Sequence, residues 1–154
     1  MKVSDDPNAL SQFRKTLWKF QQTFKTPLKR LEPFVAAIAS SIQPLQIASV
    51  TIEQVVFEPK GWIGLLTRHS LPIRYERGVS VTAEGHVEIE ELLRAALSDW
   101  VDFLFVPIPE PFVIYADHDE YTTFYAHNHP SLSQVAEALL AQGFEQITGY
   151  ERVL

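Results

Sequence analysis

The chain has 154 residues, 46% hydrophobic and 21% charged, a size and balance that suit one folded domain over residues 1–154 and exclude wholesale disorder. It contains no cysteine, which excludes disulfides, thiolate metal sites and cysteine nucleophiles together. The net charge of −6 is unevenly spread: residues 1–46 carry seven Lys/Arg against three Asp/Glu, whereas ten acids and one base, Arg94, lie between Glu84 and Glu120.

That acidic middle repels phosphate backbones, so nucleic acid is a poor partner and a basic protein surface the better electrostatic match. No apolar run reaches the roughly 18 residues of a membrane span. No apolar segment follows Met1-Lys2 either, and the expected compartment is the cytoplasm.

Asp6-Pro7 is a helix start, with Asp6 as N-cap and Pro7 at the first helical position. Leu10, Phe13, Leu17, Phe20 and Phe24 then recur at 3-4-3-4 spacing, which predicts one helix running to about Lys25, where Pro27 stops it. Pro33 restarts the chain, and Phe34, Val35, Ile38 and Ile42 form a second apolar face that ends before Pro44. Residues 1–46 therefore read as a helical N-terminal segment and 48–154 as an α+β body. The N-terminal helices either cover a sheet or pair with another copy of the chain.

Between Ala48 and Thr82 the pattern turns to strands, at Ser49–Glu58, Trp62–Arg68 and Ile73–Thr82, in a β-meander. Gly85 precedes a helix in which Ile89, Leu92, Leu93, Ala96, Leu97 and Trp100 share a face, with Glu88, Glu90 and Glu91 in its first turn, where the helix dipole favours acids. A strand at Asp102–Val106 runs into the stiff connector Pro107-Ile108-Pro109-Glu110-Pro111. Phe112–Ala126 reads as a hairpin with His118-Asp119-Glu120 in its loop, because that register puts Phe112, Ile114 and Ala116 opposite Ala126, Phe124 and Thr122. Ser131 and Gln134 fit a capping box for a last helix, Gly143 and Phe144 a Schellman stop, and Ile147–Val153 a last strand.

The fold class is α+β: an antiparallel sheet with helices packed mainly on one face, preceded by the N-terminal helices and the meander. From about residue 79 the order is that of a ferredoxin-like β-α-β-β-α-β unit; the alternative is a larger sheet that also takes in the earlier strands. No motif for a nucleophile elbow, phosphate loop or dinucleotide site is present. Arg68, Arg74 and Arg77 read as surface charges.

Chemistry, if any, concentrates at the hairpin. Asp117, His118 and Asp119 are the candidate catalytic residues, with His118 as proton shuttle and a neighbouring carboxylate to orient it. His127 and His129 lie about 20 Å along the strand from the turn, too far to share one metal ion with it, so neither metal nor cofactor is expected. Tyr115, Tyr121 and Tyr125 share the other hairpin face. Covered, they are core; exposed, they make an anchor patch next to Asp117, Asp119 and Glu120. The leading expectation is a non-enzymatic interaction or inhibitor-like module that binds a basic protein through these six residues, and the alternative is a small enzyme or ligand-binding protein with its site at the 117–120 turn.

Overall fold

The computed structural model describes residues 1–154 and is built on one eight-stranded antiparallel sheet in the order β1-β4-β3-β5-β6-β7-β2-β8. The strands are β1 Lys2–Asp5, β2 Phe20–Lys25, β3 Ile47–Val55, β4 Val79–Glu84, β5 Val101–Ile108, β6 Val113–Ala116, β7 Tyr121–Ala126 and β8 Gln146–Ile147. Five helices accompany them: α1 Pro7–Lys15, α2 Leu31–Ser40, α3 Lys60–Arg68, α4 His86–Leu97 and α5 His129–Ala141. The α+β class is as expected, and so is the segregation of helices, because α2 to α5 share one apolar core with the inner sheet face. That core takes Phe24, Ile52, Phe103, Phe105, Ile114 and Phe124 from alternate strand positions and Phe34, Trp62, Leu92 and Val135 from the helices. Alternation puts the intervening residues on the opposite face, where α1 lies.

The strand order differs from a free-standing ferredoxin-like unit. β3 lies between β4 and β5, and β2 lies between β7 and β8, so both crossovers from residue 79 onward straddle a strand from the first third of the chain. The larger sheet is therefore the one that forms.

Two segments take a structure other than the one their spacing predicts. Residues 1–46 are not all helical: α1 stops at Lys15, and Phe20–Lys25 is a strand paired with β7 and β8. In FQQTFK the four-residue gap between Phe20 and Phe24 also equals two strand periods, so both residues point to one side of a sheet. Pairing on two edges decides between the readings. Leu17, assigned to the stripe, is 89% exposed in the connection.

Trp62–Arg68 is likewise helix rather than strand. Its buried residues Trp62, Leu65 and Leu66 fall at i, i+3 and i+4, and the Asp99 carboxylate accepts a hydrogen bond from the Gly61 N–H at the first turn. A Cβ at Gly61 meets Ser98 Oγ at 2.2 Å and Asp99 Oδ2 at 2.9 Å, so a side chain there displaces the groups that meet the first turn of α3. The glycine thus lets α3 start hard against the end of α4. Residues 73–78 are irregular and β4 begins only at Val79.

The second half follows its pattern closely. Ile114 pairs with Phe124 and Ala116 with Thr122, the expected hairpin register. Gly143, at φ 81°, and Phe144 close a Schellman motif on α5, with Phe144 N–H donating to Leu139 O and Gly143 N–H to Leu140 O. The start of α5 differs by three residues: Asn128, not Ser131, is the cap, its side chain accepting from Ser131 N–H at 2.9 Å. The last strand is confined to Gln146–Ile147.

Candidate functional site

The outer sheet face is narrower in apolar content than the inner one. Leu10 and Phe13 of α1 and Trp18 pack there on Leu104, Val113, Tyr115 and Tyr125. Phe13 stacks on Tyr115 with ring centroids 5.6 Å apart and meets Tyr125 edge-on at 5.2 Å. Tyr115 and Tyr125 are consequently 7% and 0% exposed, which is the covered arrangement, and neither offers an anchor to solvent. Tyr121 remains half-buried against Tyr150. The apolar side of α1 is spent on this contact.

Beside the tyrosines the outer face becomes ionic. Arg152 lies over the Tyr115 ring at 4.8 Å, bonds Asp117 at 2.8 Å and donates to the Thr123 hydroxyl. Arg14 and Arg77 both reach Oε1 of Glu53, at 2.7 and 3.3 Å. Burial, helped by the Glu53 and Asp102 charges, pushes the Tyr115 hydroxyl up to about 12. Burial raises the Tyr125 hydroxyl too, while the nearby Arg152 guanidinium pulls it the other way; the hydroxyl makes no hydrogen bond of good geometry.

At the turn, the candidate residues do different jobs. Asp117 is structural: its Oδ1 accepts from the backbone N–H groups of Asp119 and Tyr121, and its Oδ2 holds Arg152. His118 pairs with a residue from another strand, donating from both its backbone N–H and its Nδ1 to Asp102 Oδ1 at 2.7 and 2.8 Å. The hydrogen bond to Asp102 holds the His118 imidazole above its ordinary value. Asp119 is open to solvent, 3.9 Å from His118 Nε2. Glu120 sits at φ 65°.

The turn lies at the sheet end where β3 runs out and β5 begins, and two aromatics stand there. Phe57, 61% exposed, meets Trp100, 38% exposed, edge-to-face at 5.8 Å. Trp100 occupies the left-handed region at φ 54°, a conformation that costs a bulky residue about 1–3 kcal/mol. Trp100 and Glu120 line one small depression with Asp117, Leu28 and Leu97, of about 10 Å³, room for a single water-sized group. On this side the turn flanks an aromatic knob, and on the other Glu120 borders an open depression of about 440 Å³ lined also by Lys25, Lys29 and Arg30.

The other sequence candidates disperse. His127 and His129 lie beyond the far end of β7 and pack on Trp18 and Phe20, and no group of three or more His, Asp or Glu side chains converges as a metal site. Arg68 and His69 bond Glu91, and Arg74 bonds Asp5 and Glu76, so these bases belong to ion pairs. Many acids of the middle region are likewise engaged: Glu88 with the N-terminal amine, Glu90 with His86, Asp102 with His118 and Asp117 with Arg152. No helix is long and apolar enough to cross a membrane.

Sequence reasoning missed Asp102, Arg152, Phe57 and Trp100. Asp102 had a signal, as the one acid inside the apolar run VDFLFV. Phe57 and Trp100 had none, because their pairing depends on how two chain ends leave adjacent strands. A scan of known protein families, a search of curated proteins and a search of solved structures each find no match to this chain.

Proposed function

We propose that the chain is a non-catalytic interaction module whose contact surface is the sheet end carrying Phe57, Trp100 and the acidic turn, and whose partner is a protein segment presenting Lys or Arg beside an apolar residue. The observation that carries this reading is the backbone at Trp100. A large aromatic is held half-exposed in a left-handed conformation, and such strain persists where the surroundings over-determine it, chiefly at functional positions. Aromatics of this kind are typical anchors, and the acids around them supply complementarity for a basic segment. Asp119 and Glu120 on the turn and Glu58 beside Phe57 are the acids offered to it, with Lys25, Lys29 and Arg30 on the far side of Glu120 marking where the acidic surface ends. The anchor role expected of Tyr115 and Tyr125 passes to Phe57 and Trp100, and Tyr121 stays at the margin.

The test is quantitative cross-linking capture from the native cell extract with the wild type, Trp100→Gly and Asp119→Asn/Glu120→Gln. Trp100→Gly relieves the backbone strain, so the fold survives while the anchor is lost. The expected result is a partner captured in a salt-sensitive manner by the wild type and lost in both variants. Equal capture by all three, at equal salt sensitivity, sinks the proposal.

A second reading rests on the Asp102–His118 pair, which has the carboxylate-oriented imidazole of a general base. Against it stands the setting of the ring: His118 lines neither depression beside the turn, and the Asp119 carboxylate 3.9 Å from its Nε2 is open to solvent. Loss of an activity in His118→Gln with binding intact is the outcome that favours it.

A further inference from the structure

At the opposite end of the sheet, the rim of α1 and the Trp18 connection border an open groove of about 400 Å³, within the roughly 300–1,000 Å³ of small-ligand sites. The apolar part of its floor is the half-buried Val106, with Leu104 and Val113 almost fully covered beneath. Phe13 forms one wall. The other is a rigid stack, Trp18 on His127, with centroids 4.6 Å apart and planes 24° from parallel. The indole is fixed in place because its Nε1 donates to Phe13 O at 3.2 Å.

The charges around this groove have one sign. Glu110 and Asp6 line it, and no Lys or Arg does; His127 is the single basic group. Glu110 comes from the stiff connector Pro107–Pro111, so its position does not depend on a mobile loop. Loss of water against the groove walls raises the Glu110 carboxyl, while His127 pulls it the other way. Part of that side chain remains open to solvent, which is the arrangement of a carboxylate at the mouth of a cleft rather than of a core residue.

From these features we infer that the groove binds a small organic cation, an ammonium on an aromatic or aliphatic body, with Glu110 taking the ammonium and the Phe13/Trp18 walls holding the apolar part. A neutral apolar ligand leaves the carboxylate desolvated without a partner, and an anion meets two like charges. An ammonium satisfies Glu110 with a charge-assisted hydrogen bond, while the half-buried Trp18, stacked on His127, borders the apolar body. The groove and the proposed contact surface share no residue, so either reading stands if the other fails.

The experiment is an amide-resolved NMR titration of the full chain with phenethylamine, and with 3-phenylpropionate and 2-phenylethanol as anionic and neutral controls. The expected result is saturable shifts at Phe13, Trp18, Leu104 and Val113 with phenethylamine, at least about tenfold weaker for both controls. Glu110→Gln, a change on an exposed connector, is expected to weaken phenethylamine by about tenfold and to bring it level with 2-phenylethanol. Trp18→Phe, which keeps packing on Phe13, is expected to weaken it less. Binding of all three probes with equal strength, an undiminished affinity in Glu110→Gln, or no shifts at groove residues overturns the assignment.

Discussion

The two faces of the sheet solve the problem of burial differently. The inner face is covered by four helices and is mainly apolar, with Phe24, Ile114 and Phe124 filling it alongside Phe34 and Trp62, and Gln22 and Thr122 the polar residues among them. The outer face has one short helix over one end and is finished with ion pairs, Arg14–Glu53, Arg152–Asp117 and His118–Asp102. Dispersion and loss of apolar surface to water stabilise the first; the second offsets desolvation with charge pairing and gains less in net terms. The lesson is that the fold is held on one side, which leaves the other free to carry grooves, strained residues and unsatisfied groups. Four buried polar atoms lack partners: Tyr125 Oη, Arg152 Nε and Glu53 Oε2 belong to outer-face side chains, and Gln22 Oε1 to the inner face beside Phe124.

This contrast predicts graded effects. The largest is expected for Phe124→Ala, which opens a cavity in the inner core between Phe24 and Phe112 and costs about 3–5 kcal/mol; Phe13→Ala, on the outer face, is expected to cost clearly less. Urea melts of both variants measure the difference, and equal losses break the distinction between the faces.

A smaller effect of opposite sign is expected for Tyr125→Phe. The buried hydroxyl has the Arg152 guanidinium nearby but no hydrogen bond of good geometry, so its removal should leave stability unchanged or raise it by up to about 1 kcal/mol. A loss above that size indicates an outer face as tightly satisfied as the inner one.

The smallest effect concerns pH. The His118 imidazole is raised in the folded chain by Asp102, so its contribution is fully present below the ordinary histidine value near 6.5 and is lost as pH rises through the higher folded value. With the ring partly exposed, solvent screening keeps this below about 1 kcal/mol. Wild type and His118→Gln should therefore differ in stability at pH 5.5 and converge by pH 9 in paired thermal melts; a constant difference contradicts the assignment.

Much of this division was readable in the residues. The hairpin register followed from alternation on both faces, since Phe112, Ile114 and Phe124 could share a core only in one alignment. α4 announced itself through its long apolar stripe and acidic first turn. β2 and α3 were hidden because their spacing is ambiguous over so few residues: Phe20 and Phe24 fit either period, and Trp62–Arg68 mixes aromatics with glycine. Their states are set by partners distant in sequence, β7 for the first and Asp99 for the second. The acidic turn was located correctly as a concentration of charge, yet the roles within it were not legible. Asp117 is occupied by Arg152 and His118 by Asp102, and nothing near the turn in sequence reveals either partner.

The place of β2 between β7 and β8 also bears on how the chain comes to be folded during synthesis. Thr23 and Thr123 share a 2.8 Å hydroxyl hydrogen bond across 100 residues, so the edges of β2 stay unpaired until the last third of the polypeptide has emerged. Closing so long a loop is slow relative to local helix formation, and an open strand edge is a template for association with other chains. Newly made protein thus passes through a period in which Phe20–Lys25 is an open strand, and it ends only when β7 has covered one edge and β8 the other.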